Sequence, residues 1–384
     1  MRILFITSGS ENVGTYFRAY FFACELVEKG HQVTLLCSSE KPSRKLVNVK
    51  FSQGVKVVRF YKTRFKWDYI GYLIRGVMTL AYVVRNSYEI MHVFVGWQPP
   101  SLVATLTAKI KRLFCNDFRK ILIDWDDLWG DGGIAEEHAY LLRVLIDYLE
   151  IRVLTLADHV TVCSTFLKER AEKFVSKEIT MIYNGSNNRD IYPLKMRDSR
   201  QSLGIDPNIK IGLLIGQFQT SVFPKIIKNF EYLFSMRSDL YLYILGGLPD
   251  AYLQQLKKSD RRIKYIGKVP HTELKIYFSS ADFLIMAMDS TNVERARFPI
   301  RFGDYIASGT PIVASPVGEI CKLISANNIA IVANIDNKLE YAQKVGEILD
   351  NTDKAIKIAL NGRRFSEESL SWKILTNQLL AIYA

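Results

Sequence analysis

The feature that most constrains the fold is an alternation that runs twice along the chain. Short, near-continuous apolar stretches are separated by longer segments with helical spacing. In the first half the apolar stretches fall at residues 2–7, 33–37, 55–60, 90–95, 121–123, 160–163 and 180–182, with helices expected over 16–29, 101–111 and 140–155. Gly30 follows the first helix as a plausible C-cap. In the second half, strands are expected at 211–215, 240–245, 263–266, 283–286, 311–314 and 329–332. Helices there are expected over 225–236, 249–258, 271–280, 300–307, 318–325 and 338–350. Strands apolar on both faces and spaced by helices mean parallel sheets covered on both sides. A polar stretch at 184–208, rich in Asn, Gly and Pro, reads as the linker. The chain of 384 residues is too long for one core and fits two domains. The expected architecture is therefore α/β, with two Rossmann-like parallel-sheet domains at 1–190 and 191–370. Such sheets bind ligands beyond the C-terminal ends of their strands, and two facing sheets would form a cleft.

Five cysteines are scattered without metal-ligand spacing, which fits a reduced compartment. Residues 1–7 are too short for the apolar region of a signal peptide. The longest uncharged apolar run near a basic stretch, 76–84, falls well short of the roughly 20 residues of a spanning helix, so a transmembrane protein is not expected. The net charge of +12 is uneven. Residues 41–85 carry eleven Lys and Arg against Asp68 alone, a local net of +10. Within that stretch basic residues are interleaved with Trp67, Tyr69, Tyr72 and Tyr82. One reading is a surface for anionic lipid or a polyanionic acceptor; another is a core helix at 69–84 with a basic, solvated rim. Nucleic acid is disfavoured, because no helix-turn-helix, zinc-finger or single-strand-binding signature accompanies the charge.

The densest chemistry lies in residues 292–318, NVERARFPIRFGDYIASGTPIVASPVG. Glu294, Asp304, Arg297 and Arg301 flank a helix expected to open at Pro299. Proline in the first turn sacrifices no needed N–H, and the helix N-terminus favours an anion. Hydroxyl-binding carboxylates beside phosphate-binding arginines suit a ligand that carries both groups. An ordinary surface helix with solvated charges is the plain alternative. A second cluster, Asp124, Asp126 and Asp127, follows the strand at 121–123. It can ligate a cation through oxygen or cap the next helix.

Several segments in order resemble the GT-B glycosyltransferases, specifically glycosyltransferase family 4. They are RILFITSGSENVGTYFRAYFFACELVEKGHQVTLL, YEIMH, MIYNGSNNRDIYP, LYILGG, YIGKVPHTELKIYFSSADFLIM and FPIRFGDYIASGTPIVAS. Together they span nearly the whole chain. The resemblance implies the GT-B fold, with two domains facing across a cleft and the helix at 371–384 packing back on the first. It implies retaining transfer of a sugar from a UDP- or GDP-linked donor to an envelope polysaccharide, glycan or lipid-linked acceptor. No cofactor or metal ion is implied. Carried over by position, Asp304 faces the donor ribose, Arg301 the diphosphate, and Glu294 or Asn292 the donor sugar. Gly14, Gly216, Lys225, Gly246, Val269, Arg297, Gly318 and Glu319 complete the donor side. Asp124, Asp127 and Trp129 belong to the acceptor side, and Asp126, with Arg301 and Glu294, is the catalytic candidate.

Three positions depart from the family pattern. Gln217 follows Gly216 where an arginine is usual, Ala296 stands at the first glutamate of the E-x7-E pair, and Asp126 lies at or beside a common histidine. These departures leave open a catalytically inactive relative that acts as a nucleotide- or glycan-binding partner subunit. A nicotinamide dehydrogenase is disfavoured because SGSENVG is not G-x-G-x-x-G, and no carboxylate pair stands at glycosidase spacing. The expected place of work is the cytoplasm, extending to the inner face of the plasma membrane if residues 41–85 meet lipid. The oligomeric state is left open.

Overall fold

The computed structural model describes residues 1–12, 14–42, 45–63, 69–217 and 222–384. Of the basic segment, Arg44, Arg64, Lys66, Trp67 and Asp68 lie outside the described residues, as do the side chains of Tyr69 and Gln217. Two compact units emerge. One comprises Met1–Asn184, Arg295–Phe298 and Trp372–Ala384; the other comprises Gly185–Glu294 and Pro299–Ser371.

The first unit begins with β1 (Arg2–Ser10), α1 (Thr15–Glu28), β2 (Gln32–Ser38), β3 (Val47–Ser52), β4 (Val55–Phe60) and α2 (Tyr69–Arg85). It continues with β5 (Ile90–Phe94), α3 (Pro99–Phe114), β6 (Lys120–Trp125), α4 (Tyr140–Leu154), β7 (His159–Val162), α5 (Thr165–Glu172) and β8 (Ile179–Met181). The strands form one sheet in the order β3-β4-β2-β1-β5-β6-β7-β8. Every pair is parallel except β3 with β4. The central strands are buried on both faces, which is why their sequence is apolar throughout rather than alternating. The antiparallel β3 was not foreseen. It lies at the sheet edge with Val47, Val49 and Phe51 exposed, so burial left no mark on its sequence.

The second unit contains α6 (Met196–Ser202), β9 (Lys210–Gln217), α7 (Val222–Met236), β10 (Leu240–Gly247), α8 (Asp250–Leu256), β11 (Ile263–Gly267), α9 (Leu274–Ser280) and β12 (Phe283–Met286). The helix α10 (Asn292–Ala296) follows. Then come α11 (Ile300–Ala307), β13 (Ile312–Ala314), α12 (Gly318–Asn327), β14 (Ile331–Val332), α13 (Lys338–Leu349) and α14 (Thr352–Glu368). Its sheet is wholly parallel, in the order β11-β10-β9-β12-β13-β14. Its core packs α7 and α13 against β9, β10 and β12, with Phe230 stacked on Phe283 at 6.3 Å. Truncating a ring so enclosed typically costs about 3–5 kcal/mol. The stretch read as a pure linker contains α6. Arg200 at its end is buried, pairing with Asp282 at 2.7 Å and donating to the carbonyls of Ser280, Pro207 and Ile209.

The last helix, α15 (Trp372–Tyr383), groups with the first unit. Its apolar face, Trp372, Leu375, Leu379 and Ile382, is buried. Trp372 lies 5.2 Å from Phe21 and 4.9 Å from Phe22 of α1, and the Tyr383 hydroxyl meets His92 Nδ1 at 2.8 Å.

Candidate functional site

In the second unit the chain runs outward from β9 to β10 and β11, then returns to place β12 on the other side of β9. This reversal is where an open parallel sheet parts its loops and admits a ligand. Gly216 and Gly246 are register partners at the ends of β9 and β10. Gly246 has φ 116°, and a Cβ there would strike the Gly216 carbonyl, so only glycine fits. Across the reversal, Arg301 in the first turn of α11 directs its Nε at Met286 Sδ, 3.4 Å away, at the end of β12. Asp304, one turn further on, is buried and meets His271 Nε2 at 3.3 Å. The hydrogen bond to Asp304 holds the His271 imidazole above its ordinary pKa.

The neighbouring turn is built by Ser315. Its N–H donates to the Met286 carbonyl and its hydroxyl accepts from the Met288 N–H, both at 3.0 Å. The chain then enters α12 at Gly318, with φ 61°, followed by buried Glu319, whose carboxylate lies 3.8 Å from Lys322. Asn292 is exposed at the start of α10, and the Glu294 N–H donates to Thr291 Oγ1 at 3.2 Å. Val269 lies in the loop after β11, half-buried. Lys225, expected as a phosphate charge, is instead held by Asp289 at 2.7 Å and Asp336 at 2.8 Å. Hydrogen bonds to those two carboxylates raise its pKa.

Arg297 departs from the expected grouping. Residues Arg295–Phe298 belong to the first unit, where Arg297 Nε lies 3.4 Å from Asp127 Oδ1. The local reason is plain: Asn184 donates to the Phe298 carbonyl, Ser164 donates to the Ala296 carbonyl, and Tyr183 stacks on Phe298 at 4.8 Å. Ala296, at the glutamate position, is fully buried.

The first unit has its own reversal, between β1 and β5. Val95, just after β5, adopts φ 58°. A β-branched residue is strained in that region, and such strain tends to collect at ligand sites. Gly14, with φ 53°, caps α1 beside the same edge. At the end of β6, Asp124 is buried, and both its oxygens accept from Arg18 at 2.9 Å. Thr161 also donates to Asp124 at 2.6 Å. Arg18 further donates to the Ile182 and Tyr183 carbonyls and to Asn184 Oδ1. Asp124 is thus a structural anchor rather than a group presented to an acceptor, because its lone pairs are already engaged.

Asp126 is different. It is buried, and its Oδ1 has no hydrogen-bond partner among the described residues. Burial, then the charges of Asp127 and Asp124, push its carboxyl well above the usual carboxylate range, which favours the protonated form. The loop that carries it is pinned by Glu150 of α4. Glu150 accepts from Trp125 Nε1 and the Trp129 N–H at 2.9 Å, and from the Gly130 N–H at 2.7 Å. Burial lifts the Glu150 carboxyl to about 7 despite those donors. Trp129 packs beside Trp97, with ring centroids 5.3 Å apart.

Comparison with known proteins bears on the fold and the family. Residues 17–188 match the model described as Glycosyltransferase Family 4, and residues 213–351 match Glycosyl transferases group 1. The chain is a GT-B-fold protein related to the family 4 glycosyltransferases. Among curated relatives, a D-inositol 3-phosphate glycosyltransferase of Corynebacterium glutamicum is 26% identical over 196 residues, covering 48% of this chain and 46% of the relative. The chain spans about half the length of the curated relatives it matches. Among solved structures, sucrose-phosphate synthase from Thermosynechococcus elongatus superposes with a TM-score of 0.78 at 18% identity, covering 100% of this chain and 98% of that one. Anabaena HepE in complex with UDP-glucose gives 0.71 at 14% identity, covering 100% and 99%. At such identities these two structures establish the fold.

The sequence reading missed Arg18, Glu150 and His271. Glu150 lies between Asp147 and Arg152 in VLIDYLEIRVL and did not stand out, whereas Arg18 carried a usable signal, being the lone charge in the apolar run YFRAYFFAC. Such a charge is retained at a buried position only with a dedicated partner.

Proposed function

We propose that the protein is a retaining glycosyltransferase whose second unit binds a UDP- or GDP-linked sugar and whose first unit receives an acceptor hydroxyl. The observation that carries this reading is the convergence at the β9/β12 reversal of Arg301, the Asp304–His271 pair and the glycine-led turn into α12. Asp304 accepts from the ribose hydroxyls. Arg301 faces the diphosphate with a planar, multi-donor fork, and amides at the start of α12 add to it. Glu294 and Asn292 are the groups assigned to the donor sugar. In the reaction the acceptor oxygen attacks the anomeric carbon on the face from which the phosphate oxygen departs. The hydroxyl proton passes to that phosphate oxygen. Charge growing on the leaving group meets preorganised donors, commonly the largest catalytic contribution. The open Oδ1 of Asp126 accepts a hydrogen bond from the incoming hydroxyl and fixes its direction.

The acceptor is assigned to the cell-envelope class, a polysaccharide, glycan or lipid-linked precursor. The work is placed in the cytoplasm at the membrane face. None of the described helices is long and apolar enough to cross a membrane. Ala296 favours the rival reading of a non-catalytic relative, since it offers the donor sugar no carboxylate. The deciding experiment incubates the purified protein with a panel of UDP- and GDP-sugars and follows nucleotide release. The anomer of the freed sugar is read by proton NMR before it mutarotates. Slow release with retained configuration is expected. Nucleotide binding without release from any donor would instead establish the binding-subunit reading.

A further inference from the structure

A cavity of about 670 Å³ opens in the first unit at the β1/β5 reversal, a size suited to a ligand-binding pocket. Its walls are aliphatic, drawn from Leu73 of α2, Leu102 and Val103 of α3, and Leu142, Leu145 and Leu149 of α4. Its floor is polar, made by Ser8, Ser10 and Ser38 at the strand ends. Three buried polar atoms on its lining, Trp97 Nε1, Gln98 Oε1 and Trp129 Nε1, have no hydrogen-bond partner among the described residues. Buried polar groups are almost always paired, so these await a polar ligand or ordered water. Lys62 stands at the floor, its ammonium 2.8 Å from Ser10 Oγ, and Arg75 is buried in the wall. No carboxylate is among the described residues that line the cavity.

The apolar lining does not stop at the mouth. Leu73 is 65% exposed and Leu145 50% exposed, yet both line the cavity. Leu73 belongs to a stripe along α2, Ile70, Leu73, Val77, Leu80 and Val84, all exposed at helical spacing. Leu141, Val144 and Tyr148 continue the exposed apolar surface on α4. An apolar patch of this kind marks a binding surface.

We infer that the acceptor is a membrane-borne amphiphile whose apolar chain enters this cavity and whose anionic, hydroxyl-bearing headgroup rests on Lys62, Arg75 and the serine floor. The inference rests on the transferase reading and gives its acceptor a class. The Lys62 ammonium at the serine floor selects an anionic headgroup, and the aliphatic walls select a hydrocarbon chain. The exposed α2 and α4 faces then meet the lipid surface from which the chain is drawn.

The test needs no turnover, so its failure is distinct from failure of the transferase reading. The protein is floated with vesicles of phosphatidylcholine alone or mixed with phosphatidylglycerol, and a second set carries phosphatidylglycerol brominated on its acyl chains. Binding to the anionic vesicles only is expected, reduced at least about tenfold by Leu73→Asp with Leu145→Asp. Lys62→Gln should weaken it severalfold. Bromine should quench tryptophan emission, and most of that quenching should vanish in Trp97→Phe with Trp129→Phe. Far-ultraviolet circular dichroism checks that each variant is folded. No preference for anionic vesicles, or equal binding by the Leu73/Leu145 variant, overturns the inference. So does quenching that persists without Trp97 and Trp129. A dimer that dissociates in the Leu73/Leu145 variant without vesicle binding would give the face to a second copy of the chain instead.

Discussion

The two sheets reach their reversal points by the same topology and equip them with opposite chemistry. At the β9/β12 reversal the second unit offers glycine turns, a half-buried arginine and a carboxylate hydrogen-bonded to histidine. At the β1/β5 reversal the first unit offers aliphatic walls and two indoles, and just after the neighbouring β6 an acid whose protonated form burial favours. On the proposed reading, one edge faces an anion and the other a hydrocarbon and a hydroxyl. Topology therefore fixes where a ligand sits in such a sheet, while the loop side chains decide which ligand.

The largest expected effect tests whether the first edge really depends on its buried pair. Replacing Arg18 with Met strands the Asp124 carboxylate and should cost about 3–5 kcal/mol in a denaturant titration. Adding Asp124→Leu to the same chain should recover most of that loss. A single variant within 1 kcal/mol of wild type, on the scale of an exposed pair, would mean that the pair holds nothing in place.

At the second edge the expected loss falls on turnover rather than stability. Arg301→Ala should lower kcat about 10²–10³-fold, the usual consequence of removing one donor to a developing anion. Its midpoint of thermal unfolding should stay near wild type. Asp304→Ala should mainly raise KM for the donor, because the ribose contact is made equally in the ground and transition states. Unchanged kinetics in both variants would remove the donor from this edge.

The two sheets that carry this contrast were readable in the sequence, and so was one of their two edges. The two parallel sheets were legible because strands buried on both faces must be apolar throughout, and glycine and proline punctuate the turns between them. Edge strand β3 escaped because the apolar side of its alternation, Val47, Val49 and Phe51, is exposed. Helix α6 is short and buries only Ser199 and Arg200. The buried face of α14 is made mostly of small residues, Ala355, Ala359, Gly362 and Ser366 with Ile358, while Ile356 and Leu360 point outward. At the sites, Arg301 and Asp304 were found because they share one motif. His271 was not, lying thirty-three residues from Asp304 in the chain. The cavity was equally invisible, because its walls come from three helices, each of which reads as ordinary core.

A pH experiment separates the two edges further. In the folded state Asp126 holds a proton that the unfolded chain releases near pH 3.9. Between that pH and the raised folded pKa the native state binds more protons, so stability falls as pH rises. The loss is at most about 1.4 kcal/mol per pH unit. Asp126→Asn should flatten this slope and be the more stable protein at pH 8, as read by denaturant midpoints from pH 4 to 8. Parallel slopes in the two proteins would show that Asp126 is ionised in the fold.

His271 should shift in the same direction for a different reason. Its pKa is raised by the hydrogen bond to Asp304, so the favourable interaction is complete below about pH 6.5 and fades as pH rises through the folded value. Asp304→Ala should return the imidazole toward 6.5, a movement visible in its NMR titration. An imidazole unmoved by that substitution would dissolve the pair assigned to the ribose.

The smallest expected effect is none at all, on removing divalent cations. A metal in the first unit would need ionised oxygens from Asp124, Asp126 and Asp127. Asp124 has both oxygens engaged by Arg18, and Thr161 adds a third hydrogen bond. Asp127 lies against Arg297 at 3.4 Å, and burial favours the protonated form of Asp126. Protonated and ion-paired carboxylates are poor ligands, because a cation must first displace what already compensates them. In the second unit the proposed reading gives the neutralisation of the diphosphate to Arg301 and the helix amides. Donor turnover should therefore be the same with and without excess EDTA. If turnover collapses in EDTA and returns with magnesium or manganese, the three aspartates must shed Arg18, Arg297 and a proton to bind it. The Arg18→Met variant should then bind the metal more tightly than wild type, which isothermal titration would show directly.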